Sequence, residues 1–145
     1  MRVVSNTSPL SNLAVVGRLD LLRQRYGSVT IPLVVAQELG RLSHPDGQAA
    51  LVAAILAGWL KPDPTVPPLL SSSVTLDPGE TAAIALALAV HADVLFIDEK
   101  RGRAAARSAG LTVSGLLGEL LHAKFVGRIP SMRAEIQRLR SQAGE

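Results

Sequence analysis

No cysteine occurs in this 145-residue chain, which excludes disulfides and thiolate chemistry and leaves oxygen or imidazole as the only metal-ligand types. The histidines, His44, His91 and His122, lie far apart and lack the short paired spacing of a zinc site, so they read as ordinary surface or helix-end residues. Aromatic residues are few, and Tyr26, Trp59, Phe96 and Phe125 are too scattered to form a stacking platform for bases. No apolar run has the length of a membrane span, because the stretch 51–60 is interrupted by Gly58. The chain opens on a strand without a basic-then-apolar leader, so a cytoplasmic protein that does not enter the membrane is expected. A Gly-x-Ser-x-Gly elbow and a glycine-rich phosphate loop after a strand are missing too, and nothing supports a covalent nucleophile.

What the chain does have is apolar residues, at 48%, enough to build a core for one domain over residues 1–145. The net charge of +3 is unevenly spread. Lys100, Arg101, Arg103 and Arg107 cluster in the middle, and Lys124, Arg128, Arg133, Arg138 and Arg140 load the C-terminal end. Either run taken alone is compatible with a solvated helix face. Beside an acidic pocket, such a rim suits a phosphodiester.

Short apolar strands alternate with helical patterns, which predicts an α/β fold with a parallel sheet covered by helices on both faces. The pattern predicts strands at 2–5, 29–31, 94–97 and 111–113. Helices are expected at 19–25, 48–56, 100–108, 115–126 and 132–141, with another running from Asp77 to about Val90. Ser8 is expected to cap the first helix with Pro9 at its first position, and Pro32 to start the helix that carries Glu38. Residues 61–73, with four prolines and three serines, read as a long irregular loop.

Four carboxylates fall where such a fold gathers functional groups. On a helical wheel Glu38 lies inside the apolar stripe of Val34, Val35, Leu39 and Leu42, a position that demands a partner. The ordinary alternative pairs it with Arg41 or lets it reach water. Glu80 follows Asp77-Pro78, nearly a capping box, which stabilises a helix start regardless of chemistry. The helix behind it has no polar face, which places Glu80 at the mouth of the interior. Asp98, followed by Glu99, ends the apolar run 94–97, where ligands sit in open α/β sheets. Asn6 ends the first strand in the same sense, either as a turn former or as a neutral oxygen ligand. Together these positions suit Mg²⁺ or Mn²⁺ and the hydrolysis of a phosphodiester.

The order of motifs, Val3-Val4-Ser5-Asn6-Thr7-Ser8-Pro9-Leu10, Ile31-Pro32 with Glu38-Leu39, Leu76-Asp77-Pro78-Gly79-Glu80-Thr81-Ala82-Ala83-Ile84, Ile97-Asp98-Glu99-Lys100-Arg101-Gly102-Arg103 and Gly110-Leu111-Thr112-Val113, resembles the PIN-domain superfamily over nearly the whole chain. It is similar to a prokaryotic branch related to the VapC-type toxins of toxin–antitoxin pairs. The resemblance implies a three-layer α/β/α sandwich around a parallel sheet, a Mg²⁺- or Mn²⁺-dependent endoribonuclease site acting on RNA, frequent homodimers and often a small antitoxin partner. By position, Asn6 stands where the family has its first aspartate, Glu38 is the second acid, Glu80 the third, and Asp98 or Glu99 the fourth. Glu38, Glu80 and Asp98 then carry catalysis, and with Asn6 and Glu99 they form the metal set. Thr7 and Ser8 match the hydroxyls beside the first acid and are expected to bind substrate. Lys100, Arg101 and Arg103 are expected against the substrate.

Asn6 removes one charge from that set, which keeps a second reading in view: a catalytically weak or inactive PIN fold that binds RNA or a protein. A receiver-like phosphoacceptor domain using Asp98 would want an acidic pair after strand one, and Ser5-Asn6 does not supply it.

Overall fold

The computed structural model describes residues 1–65 and 76–143. The prolines at 67 and 68 and the serines at 71–73 of the expected long loop therefore lie outside the described residues. Its first part does not behave as expected, because Leu60–Asp63 forms strand β3 despite Pro62. β3 is an edge strand, the position where a missing N–H costs least.

Five strands form one all-parallel sheet: β1 (Val3–Ser5), β2 (Val29–Pro32), β3, β4 (Val94–Phe96) and β5 (Val113–Ser114), in the order β3-β2-β1-β4-β5. From β1 the chain builds outward to one edge through β2 and β3, then returns to β4 on the other side of β1. The strand order thus switches between β1 and β4, where the crevice of an open α/β sheet lies. Val3 pairs with Val94, Val4 with Leu95 and Ser5 with Phe96, so the ends of these two strands are level. The Asn6 N–H then donates to the Phe96 carbonyl at 2.9 Å, which brings the first residue beyond β1 beside the end of β4.

Alternation along the strands divides the interior in two. Val3 and Phe96 face a core built with Leu10, Leu13, Leu22, Leu51, Leu116 and Leu120. These come from α1 (Thr7–Val15), α2 (Asp20–Tyr26), α4 (Pro45–Leu56) and α7 (Leu116–Phe125). Val4, Leu95 and Ile97 face the other way, onto Ala83, Ile84, Leu86 and Ala87 of α5 (Pro78–Ala89) and Ala106 of α6 (Lys100–Ser108). The result is helix, sheet, helix, the three-layer sandwich. Helix α3 (Leu33–Leu39) follows β2, and α8 (Met132–Ala143) closes the chain. Among the described residues no helix is long and apolar enough to cross a membrane.

Two helix starts differ from expectation for local reasons. Helix α1 begins at Thr7 with Asn6 in the capping position, two residues ahead of Ser8. Pro32 remains in β2 and precedes the first turn of α3. The apolar part of α5 beyond Thr81 finds cover inside the molecule, since Ala83 to Ala87 are all buried. The spare apolar surface lies elsewhere, on α7, where Leu117, Leu121 and Phe125 recur every fourth residue and are 60%, 61% and 89% exposed.

Candidate active site

Asn6 is the best-buried of the expected site residues, at 3% exposure. An asparagine before a helix ordinarily turns its side chain onto the first-turn N–H groups, yet here no side-chain cap bond forms. Its Oδ1 is instead buried without a hydrogen-bond donor. An orphaned buried oxygen costs about 1–3 kcal/mol, so the position is maintained against a local alternative that would satisfy it.

Glu38 approaches from α3, half-buried, and its Oε1 accepts from the Thr7 hydroxyl at 2.7 Å rather than pairing with Arg41. Thr7 sits next to Asn6 in sequence, so this bond ties the second acid to the end of β1. Gly79, in the first turn of α5, fits against both: a Cβ there would fall on Glu38 Oε1 and 3.0 Å from Asn6 Oδ1. Glycine at this position is therefore what lets α5 close over the pair.

Glu80 follows at once and is 5% exposed. Its backbone and Oε1 complete a capping box with Asp77, the Glu80 N–H donating to Asp77 Oδ1 at 2.7 Å and the Asp77 N–H to Glu80 Oε1 at 3.2 Å. Capping uses only one carboxylate oxygen. Oε2 is buried without a donor, against Gly102 of α6, where a Cβ would lie 2.9 Å from it. Burial pushes this carboxyl above the usual carboxylate range, and the charges of Asp77 and Glu99 add to the rise. The capping and the functional readings of Glu80 are thus compatible, one per oxygen.

Asp98 leaves the end of β4 toward β5. Its Oδ1 accepts the Leu116 N–H at 2.8 Å, at the first turn of α7, and lies so close to Gly115 that a Cβ could not be added there. Burial raises its pKa, opposed by the Leu116 N–H and the Arg103 guanidinium, while Glu99 adds to the rise. Arg103 is held in turn by the Ile97 carbonyl at 3.2 Å. Asp98, Arg103, Ser114, Gly115 and Leu117 line a cleft of about 470 Å³. Glu99 is exposed beside it, and its charge bears on both Glu80 and Asp98.

The expected set therefore falls into three neighbouring groups: Asn6, Thr7 and Glu38 around Gly79, Glu80 against Gly102, and Asp98 with Arg103 at the cleft. Among the described residues no three Asp, Glu or His side chains are close enough together to enclose an ion. Two acceptors without donors, Asn6 Oδ1 and Glu80 Oε2, are nevertheless the kind of group a hard cation satisfies. Ser8 is half-buried in the first turn of α1, where its carbonyl accepts from Ser11. Lys100 and Arg101 are exposed on α6, whose inward positions are Gly102 and Ala106.

Sequence reasoning missed two buried acids. Glu119, 4% exposed, accepts from Arg25 Nη1 at 3.1 Å, the Tyr26 hydroxyl at 2.9 Å and the Ser114 hydroxyl at 2.8 Å. Glu135, 1% exposed, pairs with Arg18 and Arg138 and fastens α8 to the end of α1. The signal was present in both cases. Glu119 lies between Leu116 and Ala123 on the buried stripe of α7, and Glu135 between Met132 and Leu139, the same wheel position that singles out Glu38.

No curated protein matches this chain. A family model described as a PIN domain matches residues 2–144, a span that takes in every residue placed above. PIN domains are of nuclease type and generally use divalent metals. With its parallel sheet, its helices on both faces and a family model that matches nearly its whole length, the chain belongs to the PIN domain family.

Proposed function

We propose that this single domain is a Mg²⁺- or Mn²⁺-dependent endoribonuclease whose metal is held by Asn6, Glu38, Glu80 and Asp98, with Glu99 on the rim. The observation that carries the reading is the pair of buried acceptors without donors, Asn6 Oδ1 just beyond β1 and Glu80 Oε2 in the first turn of α5. When bound, a divalent ion supplies an activated water and neutralises charge developing on phosphate. The chain's own residues do the rest. Thr7 keeps the Glu38 carboxylate turned toward Asn6, Gly79 leaves room for both, and the Leu116 N–H fixes Asp98. Arg103 at the cleft, with Lys100 and Arg101 on the exposed face of α6, offers cations to the RNA backbone.

We read the protein further as the toxin of a toxin–antitoxin pair, cytoplasmic and homodimeric, with a small antitoxin as partner. The toxin assignment rests on the motif order shared with VapC-type toxins. The exposed stripe of Leu117, Leu121 and Phe125 supports self-association.

Calorimetric titration with Mn²⁺ tests the metal site. Asp98→Asn should weaken binding tenfold or more, about 1.4 kcal/mol, and abolish Mg²⁺-dependent cleavage of single-stranded RNA. Equal binding by the two proteins would remove Asp98 from the site. One observation favours a second reading: the amide at Asn6 leaves the metal set one charge short. A wild type that binds RNA and never cuts it, with any metal, would make the domain a binding module.

A further inference from the structure

Glu119 lies in α7, away from the metal set proposed above, and gathers more polar partners than the other acids of the described chain. Its Oε2 accepts from Arg25, Tyr26 and Ser114, at 3.1, 2.9 and 2.8 Å. The Arg25 guanidinium also stacks over the Tyr26 ring, 5.0 Å from its centroid. Burial, reinforced by the Glu119 charge, raises the Tyr26 hydroxyl far above its ordinary range, so that hydroxyl stays a donor. The network is costly to bury, and its place in the fold suggests a use for it.

Ser114 is the link. Its hydroxyl donates to Glu119, and its carbonyl accepts the N–H of Ile97, the residue before Asp98, at 2.9 Å. Two residues on, the Leu116 N–H holds Asp98 Oδ1 at 2.8 Å. Between them, Gly115 packs against the same oxygen too closely to tolerate a side chain. The segment 114–116 thus holds Asp98 Oδ1 through Gly115 and Leu116 and the preceding Ile97 through the Ser114 carbonyl, and Glu119 grips the segment.

We propose that Glu119 is a positioning residue, which sets the Asp98 carboxylate for its ligand through Ser114 and the β5–α7 turn. The proposal rests on the functional reading given above for the role of Asp98. A merely structural Glu119 would contribute to stability and to nothing else.

Hydrogen exchange at the Leu116 amide separates the two roles. Leu116 opens α7, so its N–H has no partner within the helix, and its protection reports the bond to Asp98 rather than the stability of α7. Ser114→Ala should speed that exchange several-fold and weaken Mn²⁺ binding in calorimetry about tenfold, the scale of an outer-shell loss. Ser114→Thr, which keeps the hydroxyl, should restore both. Glu119→Gln keeps an oxygen for Ser114 and should stay near wild type in both readouts, whereas Glu119→Leu should resemble Ser114→Ala if it folds. Unchanged Leu116 exchange in a folded Ser114→Ala protein would overturn the proposal, even with a lowered melting temperature. A wild type that binds no Mn²⁺ would instead defeat the functional reading, and the exchange measurement, which needs no metal, would still decide whether Glu119 positions Asp98.

Discussion

Gly79 and Glu38 stand in contact across the α3–α5 boundary, closely enough that a methyl group on Gly79 would occupy the site of Glu38 Oε1. The contact sets how near α5, and with it Glu80, can come to the end of β1. Gly79→Ala should displace the Glu38 carboxylate. Its cost of about 1–3 kcal/mol from overpacking is offset by less than about 1 kcal/mol from the better helix former. A melting curve should show net destabilisation, and Mn²⁺ affinity should fall as well. A Gly79→Ala protein that matched wild type in both would mean that Glu38 can move without consequence.

Glu80 presents a conflict between stability and binding. Its Oε2 is buried without a donor, and its pKa is raised chiefly by burial. A carboxyl with a raised folded-state pKa favours the native state in its protonated form. That contribution is complete below the unfolded pKa and is lost as pH rises through the folded one. At neutral pH the charge is therefore a liability. Glu80→Gln keeps an oxygen for the Asp77 N–H while removing the charge, so it should raise the metal-free melting temperature at pH 7 while lowering Mn²⁺ affinity. A melting point that falls instead would show that the charged form is the one the fold favours.

The same shifts give metal binding a pH signature. Glu80 and Asp98 both have raised pKa values, each mainly from burial, and protons compete with a cation for them. Apparent Mn²⁺ affinity should start to fall, as pH is lowered, at a higher pH than the ordinary carboxylate range of about 4. Titrations at a series of pH values check this, and a profile that stays flat down to that range would contradict the burial argument.

Much of this arrangement was legible in the sequence. The parallel sheet followed from alternating strand and helix periods, whereas the adjacency and level ends of β1 and β4, on which the meeting of Asn6 and Asp98 depends, come from the strand pairing. Glu38 was found because an acid interrupts an apolar stripe. The same rule applied to α7 and α8 would have found Glu119 and Glu135, whose partners Arg25 and Arg18 are distant in sequence. Asn6 was harder, because local chemistry predicts a cap or a turn, and only the tertiary structure shows that its oxygen does neither. The strand over Pro62 was hidden for a related reason: a proline forbids a central strand and permits an edge, and sequence does not say which strand is the edge.

Self-association should map to α7 rather than to the apolar helices α4 and α5. The stripe of Leu117, Leu121 and Phe125 is the most exposed apolar surface on any one helix among the described residues. Light scattering at micromolar concentration should give a dimer mass for the wild type and a monomer mass for Phe125→Glu with Leu121→Glu. A monomeric wild type would remove the homodimer from the reading.

The amide at position 6 allows the sharpest test of the site. If Asn6 leaves the metal set short of charge, Asn6→Asp should tighten Mn²⁺ binding, because a carboxylate is a better ligand for a hard cation than an amide oxygen. It should also raise Mg²⁺-dependent cleavage of single-stranded RNA. The gain has a cost in the metal-free protein: a second carboxylate would be packed beside Gly79 with Glu38, so the melting temperature should drop without metal and recover with it. Combining Asn6→Asp with Glu80→Gln should lose the added cleavage, since with the amide oxygen kept for the Asp77 N–H the place of the donorless Oε2 is taken by an NH2 group, which cannot ligate a cation. Brisk cleavage by the wild type, no faster in Asn6→Asp, would show that the amide oxygen is already a sufficient ligand and that charge at the end of β1 does not limit the reaction.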